Sequence, residues 1–293
     1  MEGRIPAAAI TLFSVVLILA GGPAPLRAQT DEWTVFTSVV DRTGTPVQGL
    51  TAADFVVREN GVAREVLRAA PATDSIRIAV LVDTSQEMRY DMVDMRQSVR
   101  RLINDIDRRH EVALIAFGGP PTVLVDYTRD LKRLEAGATR LVAKPGTGSY
   151  LLSAIIDTSR VFRKRRDLRR VMVIITAQGP EFSELGYQTV LDYVLESGAP
   201  MHSYVLMKEG VSPTDAAAQE VELTLARGTN LTGGRREDLL SAMAMTPRLQ
   251  SLAQELNHQY QVVYARPKML VPPKTLQVGV RRPDVVVRAP RIF

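Results

Sequence analysis

The chain has 293 residues, 45% of them hydrophobic and 24% charged, with a net charge of +5 and no cysteine. At ~150 residues per domain, this length holds one large domain with a small one or two modest ones, and the composition excludes wholesale disorder. The missing cysteines exclude disulfides, zinc-thiolate sites and thiol nucleophiles, so stability rests on the packed core.

The first 28 residues read as a signal peptide: Arg4 gives a positive start, residues 7–20 (AAAITLFSVVLILA) form the apolar run, and GGPAPLRA ends at a cleavable Ala28. A membrane span needs about 20 apolar residues, so a retained anchor is the lesser alternative. No Cys follows the run to take a lipid. The mature chain is expected outside the cytoplasm, periplasmic or secreted.

Residues 29–74 form an N-terminal β segment. WTVFTSVV and DFVVREN carry β-branched character, Asn60-Gly61 is a hairpin signal, and Asp41 to Gly44 marks an earlier turn. So few strands need a partner to be stable.

From Ile76 the pattern changes. IRIAVLV (76–82), EVALIAF (111–117) and RVMVIIT (170–176) are short continuous apolar runs, as in parallel strands buried on both faces. VLVDYT (123–128) and HSYVLM (202–207) are weaker candidates. Met92, Met95, Val99, Leu102, Ile103 and Ile106 fall on one helical stripe, and further helical patterns cover 130–142, 151–164, 187–197 and 237–257. Alternating strands and helices predict a doubly wound α/β domain over 75–258 with a mostly parallel sheet, its ligands at the strand carboxyl ends. Residues 160–170 (RVFRKRRDLRR) are basic with no aromatic platform beyond Phe162, and read as a solvated helix end rather than a polyanion site. Asn230-Leu-Thr232 fits a glycosylation sequon and reads as a loop before the turn at 232–235.

Residues 259–293 are β-like again: YQVVYAR, KTLQVGVRR and DVVVRAP, with prolines between. No helix accompanies them. They are expected to pack with the N-terminal segment as one small β module built from both ends of the chain.

Catalytic machinery is not visible. His110, His202 and His258 show no metal-ligand spacing, no G-x-S-x-G elbow surrounds a serine, and KPGTGS (144–149) lacks the Lys-Ser/Thr of a phosphate loop. DTSQE (83–87), directly after a core strand, is the informative stretch. It reads either as a metal loop or as a capping box, since Thr84 and Glu87 have T-x-x-E spacing at a helix start.

DTSQE resembles the D-x-S-x-S motif of von Willebrand factor A-type domains. In that family the motif opens a metal-ion-dependent adhesion site, where magnesium or manganese is held by oxygens from three loops and completed by a partner's carboxylate; a hard cation of this kind wants about six oxygens. The resemblance implies Asp83 and Ser85 as ligands, with Glu87 in place of the second serine. GSYLLSAI puts Ser149 where the family has threonine, and VIITAQG puts Ala177 where it has aspartate. Glu181 is a possible substitute carboxylate. Further segments, DRTGTPVQGLTAADFVVRENGVAREV, TGGR (232–235), LAQELNHQYQVVYARP and VRRPDVVVRAP, are together similar to the bacterial von Willebrand A-related proteins first grouped from acidobacteria. That resemblance implies an exported, non-enzymatic module that binds an unidentified protein through a degenerate metal site, with no nucleic acid. The alternative is a metal-free component of a cell-envelope complex that docks through its β module.

Overall fold

The computed structural model describes residues 30–292, apart from 166–167, 209–214 and 269–270; the signal-peptide reading at 1–28 lies outside the described residues. The chain opens with strands β1 (Thr30–Asp41), β2 (Phe55–Glu59), β3 (Val62–Arg64) and β4 (Val66–Pro71). Asn60 and Gly61 take positive φ angles of 47° and 81°, which turns β2 back onto β3.

The larger unit runs β5 (Ile76–Val82), α1 (Met92–Asp105), β6 (Glu111–Ala116), β7 (Thr122–Thr128), α2 (Leu131–Thr139), α3 (Leu151–Arg163), β8 (Arg169–Ala177), α4 (Tyr187–Ser197), β9 (Met201–Leu206), α5 (Ala216–Thr232), β10 (Arg236–Leu239) and α6 (Met245–Asn257). Its sheet has the order β10-β9-β8-β5-β6-β7, with only the edge strand β7 antiparallel. The continuous apolar runs follow from burial on both faces. Ile76, Ile78, Val80 and Val82 of β5 pack with α1, α2 and α6, while Ala79 and Leu81 face α3, α4 and α5. This is the doubly wound α/β fold with a mostly parallel sheet expected from the sequence.

After α6 come β11 (Tyr260–Pro267), β12 (Leu276–Val280) and β13 (Val285–Arg288). They pair with the first strands of the chain. β13-β1-β11-β4 and β12-β2-β3 are two antiparallel sheets that share a core of Val35, Phe55, Val57, Tyr260, Val262 and Leu276. Trp33 lies opposite Tyr264 in the β1–β11 register.

Within this module Glu59 is fully buried. Its carboxylate accepts from Tyr264 Oη (2.8 Å), Arg266 Nε (2.6 Å) and Arg64 Nε (2.9 Å), and the Arg266 guanidinium lies 3.4 Å from the centroid of the Trp33 ring. Burial works to raise the Glu59 pKa, but these donors outweigh it and hold the carboxyl below its ordinary range. The module sits at the amino ends of the parallel strands. Arg169, at the start of β8, stacks on Phe36 at 4.1 Å and donates to Gln259, and Arg288 of β13 pairs with Glu255 of α6 at 2.8 Å.

Three local readings are corrected. The pattern over 237–257 is not one helix: β10 and a 3-10 turn (Ala242–Ala244) precede α6, because Arg236 and Glu237 extend the sheet edge beside β9. Helix α5 was not foreseen, because its buried positions, Thr224, Leu225, Gly228, Thr229 and Thr232, are mostly small or polar and leave no apolar stripe. Asn230 consequently stands in its last turn rather than in a loop. The capping box at Thr84 and Glu87 does not form: Ser85 is the residue that precedes the short 3-10 turn Gln86–Met88, and Thr84 Oγ1 accepts instead from Gly118 N at 3.0 Å.

Candidate functional site

Where β5 ends, its backbone remains tied to its neighbour. Asp83 N donates to Ile175 O at 2.9 Å, which sets the Asp83 side chain between the ends of β5 and β8. The carboxylate accepts from Ser85 N (2.8 Å), Thr176 Oγ1 (2.9 Å) and Ala177 N (3.2 Å). Its exposure is 0%. Burial outweighs these donors and lifts the Asp83 pKa above the carboxylate range.

The loop after Asp83 is stitched to residues 144–147. Lys144 N donates to Thr84 O (2.8 Å), Gln86 N to Thr147 O (3.1 Å), and Gly146 N to Gln86 Oε1 (2.7 Å). Thus KPGTGS, which has no phosphate-loop chemistry, serves as the wall of the site. On the other side, Gly118 is obligatory, since a Cβ there would lie 2.0 Å from the Thr84 carbonyl carbon.

Ser149 stands at the start of α3 and meets Glu181 from the loop after β8. Ser149 N donates to Pro180 O (2.8 Å), Phe182 N donates to Ser149 O (2.8 Å), and the Ser149 hydroxyl accepts from Leu151 N (3.2 Å). Glu181 also accepts from Leu151 N (3.1 Å), Leu152 N (3.4 Å) and Ser183 N (3.1 Å), so it caps the helix whose N-terminus favours an anion. Burial raises its pKa in spite of these bonds. Phe182 closes over the Gly148 backbone and meets Tyr150 edge-on at 6.1 Å between centroids.

The structure therefore brings Asp83, Ser85, Glu87 and Ser149 to one end of the sheet, with different surroundings for each. A carboxylate has about four lone-pair positions, and both Asp83 and Glu181 spend theirs on protein donors. Ala177 adds no oxygen from its side chain. Glu87 alone among these acids makes no hydrogen bond or ion pair among the described residues; its Cγ packs where a Gly179 Cβ would stand, at 2.4 Å. One carboxylate without a partner among the described residues, beside the hydroxyls of Ser85 and Ser149, falls short of the oxygen set that holds a resident magnesium or manganese ion. No cluster of three or more His, Cys, Asp or Glu with metal-binding geometry occurs among the described residues.

A second feature escaped the sequence reading. Trp33 aside, the exposed aromatic, leucine and methionine side chains among the described residues are Tyr90 (82%), Phe182 (49%), Leu240 (91%) and Met243 (76%). Each belongs to a loop that follows a parallel strand, after β5, β8 or β10, so all four stand on the rim that carries Glu87. For Tyr90 and Phe182 the signal in the sequence was position, large apolar residues between the predicted elements; Leu240 and Met243 were hidden inside the stretch read as a helix over 237–257. Large apolar groups exposed together at one end of a sheet are candidates for an interaction site.

Residues 78–179 match the family model of the von Willebrand factor type A domain. Among solved structures, a von Willebrand factor type A protein from Catenulispora acidiphila is 11% identical, with 91% of this chain and 74% of that chain covered and a TM-score of 0.51. Proximal thread matrix protein 1 from the mussel byssus is 13% identical over 64% of this chain and 50% of that one, at a TM-score of 0.50. BatB of Bacteroides thetaiotaomicron is 14% identical over 62% of this chain and 99% of its own, at 0.47. At these identities the likeness is one of fold. No curated protein sequence matches the chain.

Proposed function

We propose that the chain is an exported, non-enzymatic protein-binding module related to the bacterial von Willebrand A family that its sequence resembles. Residues 1–28 are its signal peptide, 75–258 its A-like domain, and 29–74 with 259–293 the β module at the opposite end from the rim. No described helix is long and apolar enough to cross a membrane. The partner meets the rim, and the metal-ion-dependent adhesion site is degenerate: Asp83, Ser85 and Ser149 hold the loops together rather than an ion.

The observation that carries this reading is that Tyr90, Phe182, Leu240 and Met243 are exposed on loops at the same end of the sheet as Glu87, a carboxylate with no hydrogen bond or ion pair among the described residues. Large apolar groups beside one isolated charge make a surface with both the area for affinity and a polar group for register. Where the family's ion awaits an acid, Glu87 presents a negative charge, which suits a basic side chain on the partner.

Two measurements test the reading. Thermal unfolding of the protein is expected to be the same in millimolar magnesium, manganese or chelator. A resident ion at about 100 times its dissociation constant would add ~2.7 kcal/mol, and a rise of that size would overturn the metal-free rim. Second, partners retained from envelope extract by the immobilised protein are expected to be lost from Tyr90→Ser/Phe182→Ser. A partner held equally by both proteins would place binding elsewhere, on the β module first.

A further inference from the structure

Helix α1 leaves the rim and runs beside α2, and between them lies an open groove of about 670 Å³. Two rows of α1 side chains line it at helical spacing: Val93, Gln97 and Arg101 in one, Arg96, Arg100 and Asn104 in the other. Ala138 and Thr139 of α2 form the opposite wall, so that side is low and the groove stays open.

The charges in the groove are unequal. Arg101 is answered by Asp105 at 2.9 Å, and Asn104 donates to Glu135 at 3.2 Å near the far end. Arg96 and Arg100 make no ion pair or hydrogen bond through their side chains among the described residues. They lie four residues apart on one face, about 6 Å along the axis. The basic run at 160–170 is arranged otherwise. Arg160 and Arg163 lie against Tyr193, Arg163 also pairs with Glu196, and Arg169 turns inward against Phe36. The most basic stretch of the sequence is thus partly used by the fold, whereas two guanidiniums of α1 are left facing a cavity.

We propose that this groove binds an acidic peptide segment of a protein partner in extended form. Two carboxylates meet Arg96 and Arg100, and an apolar side chain rests on the exposed Val93 at the rim end. A guanidinium offers a planar fork of donors that suits a carboxylate, which makes arginine the fitting residue for such a contact. From Val93 to Asn104 the helix rises about 16 Å, the span of about five extended residues. The groove is a surface separate from the rim, and the proposal does not rest on the rim reading.

The test uses the full chain and a fluorescein-labelled octapeptide, one leucine followed by seven glutamates, followed by anisotropy at 50 mM salt. Binding is expected, and R96E/R100E is expected to weaken it more than tenfold. R163E/K164E removes the same formal charge from the α3 end and is expected to change it less than twofold. All four positions are exposed or half-exposed, and unchanged melting of each variant confirms that its fold is intact, R163E included despite the loss of its pair with Glu196. No binding of the peptide by the unaltered chain overturns the proposal. Equal weakening by the two variants does so as well, since that reports net charge alone. Duplex DNA or anionic vesicles held in an Arg96- and Arg100-dependent manner, with the peptide excluded, would also overturn it by replacing the peptide with another polyanion.

Discussion

Glu59→Ala is expected to cost about 3–5 kcal/mol, the range for removing one partner from a buried ion pair. Without the carboxylate, Arg64 and Arg266 face each other across a space with no anion, and the Tyr264 hydroxyl loses its acceptor. Glu59→Gln keeps an acceptor of the same shape and is expected to cost less, because one donor bond survives while the charge does not. The measurement is built into the chain. Trp33 is its sole tryptophan and carries the Arg266 guanidinium on its ring, so its emission reports on the β module during urea unfolding. An unchanged midpoint for Glu59→Ala would show that the network is dispensable. The pH dependence has a definite sign. Because the folded Glu59 pKa is depressed, its contribution is present above the unfolded pKa and is lost as pH falls through the folded value.

Acid destabilisation is expected to begin well above the carboxylate range, because two histidines are buried in neutral form. His110 is held down to about 4, chiefly by burial and then by Arg109, while its Nδ1 accepts from Ile76 N at 3.1 Å. His202 is held down to about 3, again by burial first and then by Arg235 and Arg288. A base whose folded pKa lies below its unfolded value stabilises fully above the unfolded value, near 6.5. That stability drains away as pH falls towards the folded value, at about 1.4 kcal/mol per pH unit for each histidine. Asp83 and Glu181, whose pKa values are raised, act in the opposite direction. The histidine part is therefore read from the difference between the protein and His202→Gln. Between pH 6 and 4 the variant is expected to lose less stability per pH unit by about that amount. Parallel slopes for the two proteins would refute the assignment.

The parallel strands were legible because burial on both faces leaves one signature, the unbroken aliphatic run. Residues 76–82, 111–117 and 170–176 all carry it, and all are core strands. The Asn60-Gly61 turn was legible because few other residue pairs tolerate two positive φ angles in succession. Helix α5 was opaque for the converse reason. Where Gly228 meets the Met201 side chain, smallness is what packs, and a scan for large apolar residues passes over it. β10 is short and charged, as edge strands often are, and nothing local distinguishes Arg236 to Asp238 from a helix surface.

The site divides along the same line. The loop that begins at Asp83 could be placed from its motif, as could the departures at Glu87 and Ala177. What a motif could not give was how each oxygen is employed. Whether Asp83 is a free ligand or a fully engaged one depends on Thr176 and Ala177, more than 90 residues away in sequence. Thr84 illustrates the point locally. Its spacing to Glu87 satisfies a capping pattern, but the close approach of Gly118 supplies a backbone donor that takes the hydroxyl first.

The pairing of β1 with β11 sets an order of events for folding. β1 is made before the other described elements, yet its register partner lies more than 200 residues later. Until then its hydrogen-bonding edge has no native complement, and the cost of closing so large a loop falls on the last steps. The α/β unit between the two strands can form earlier and shorten that loop, by carrying Tyr260 back to the side of the sheet where β4 ends. A chaperone that shields an exposed β edge would therefore act on β1, and a chain truncated before β11 would keep a folded centre with an adhesive β1 strand.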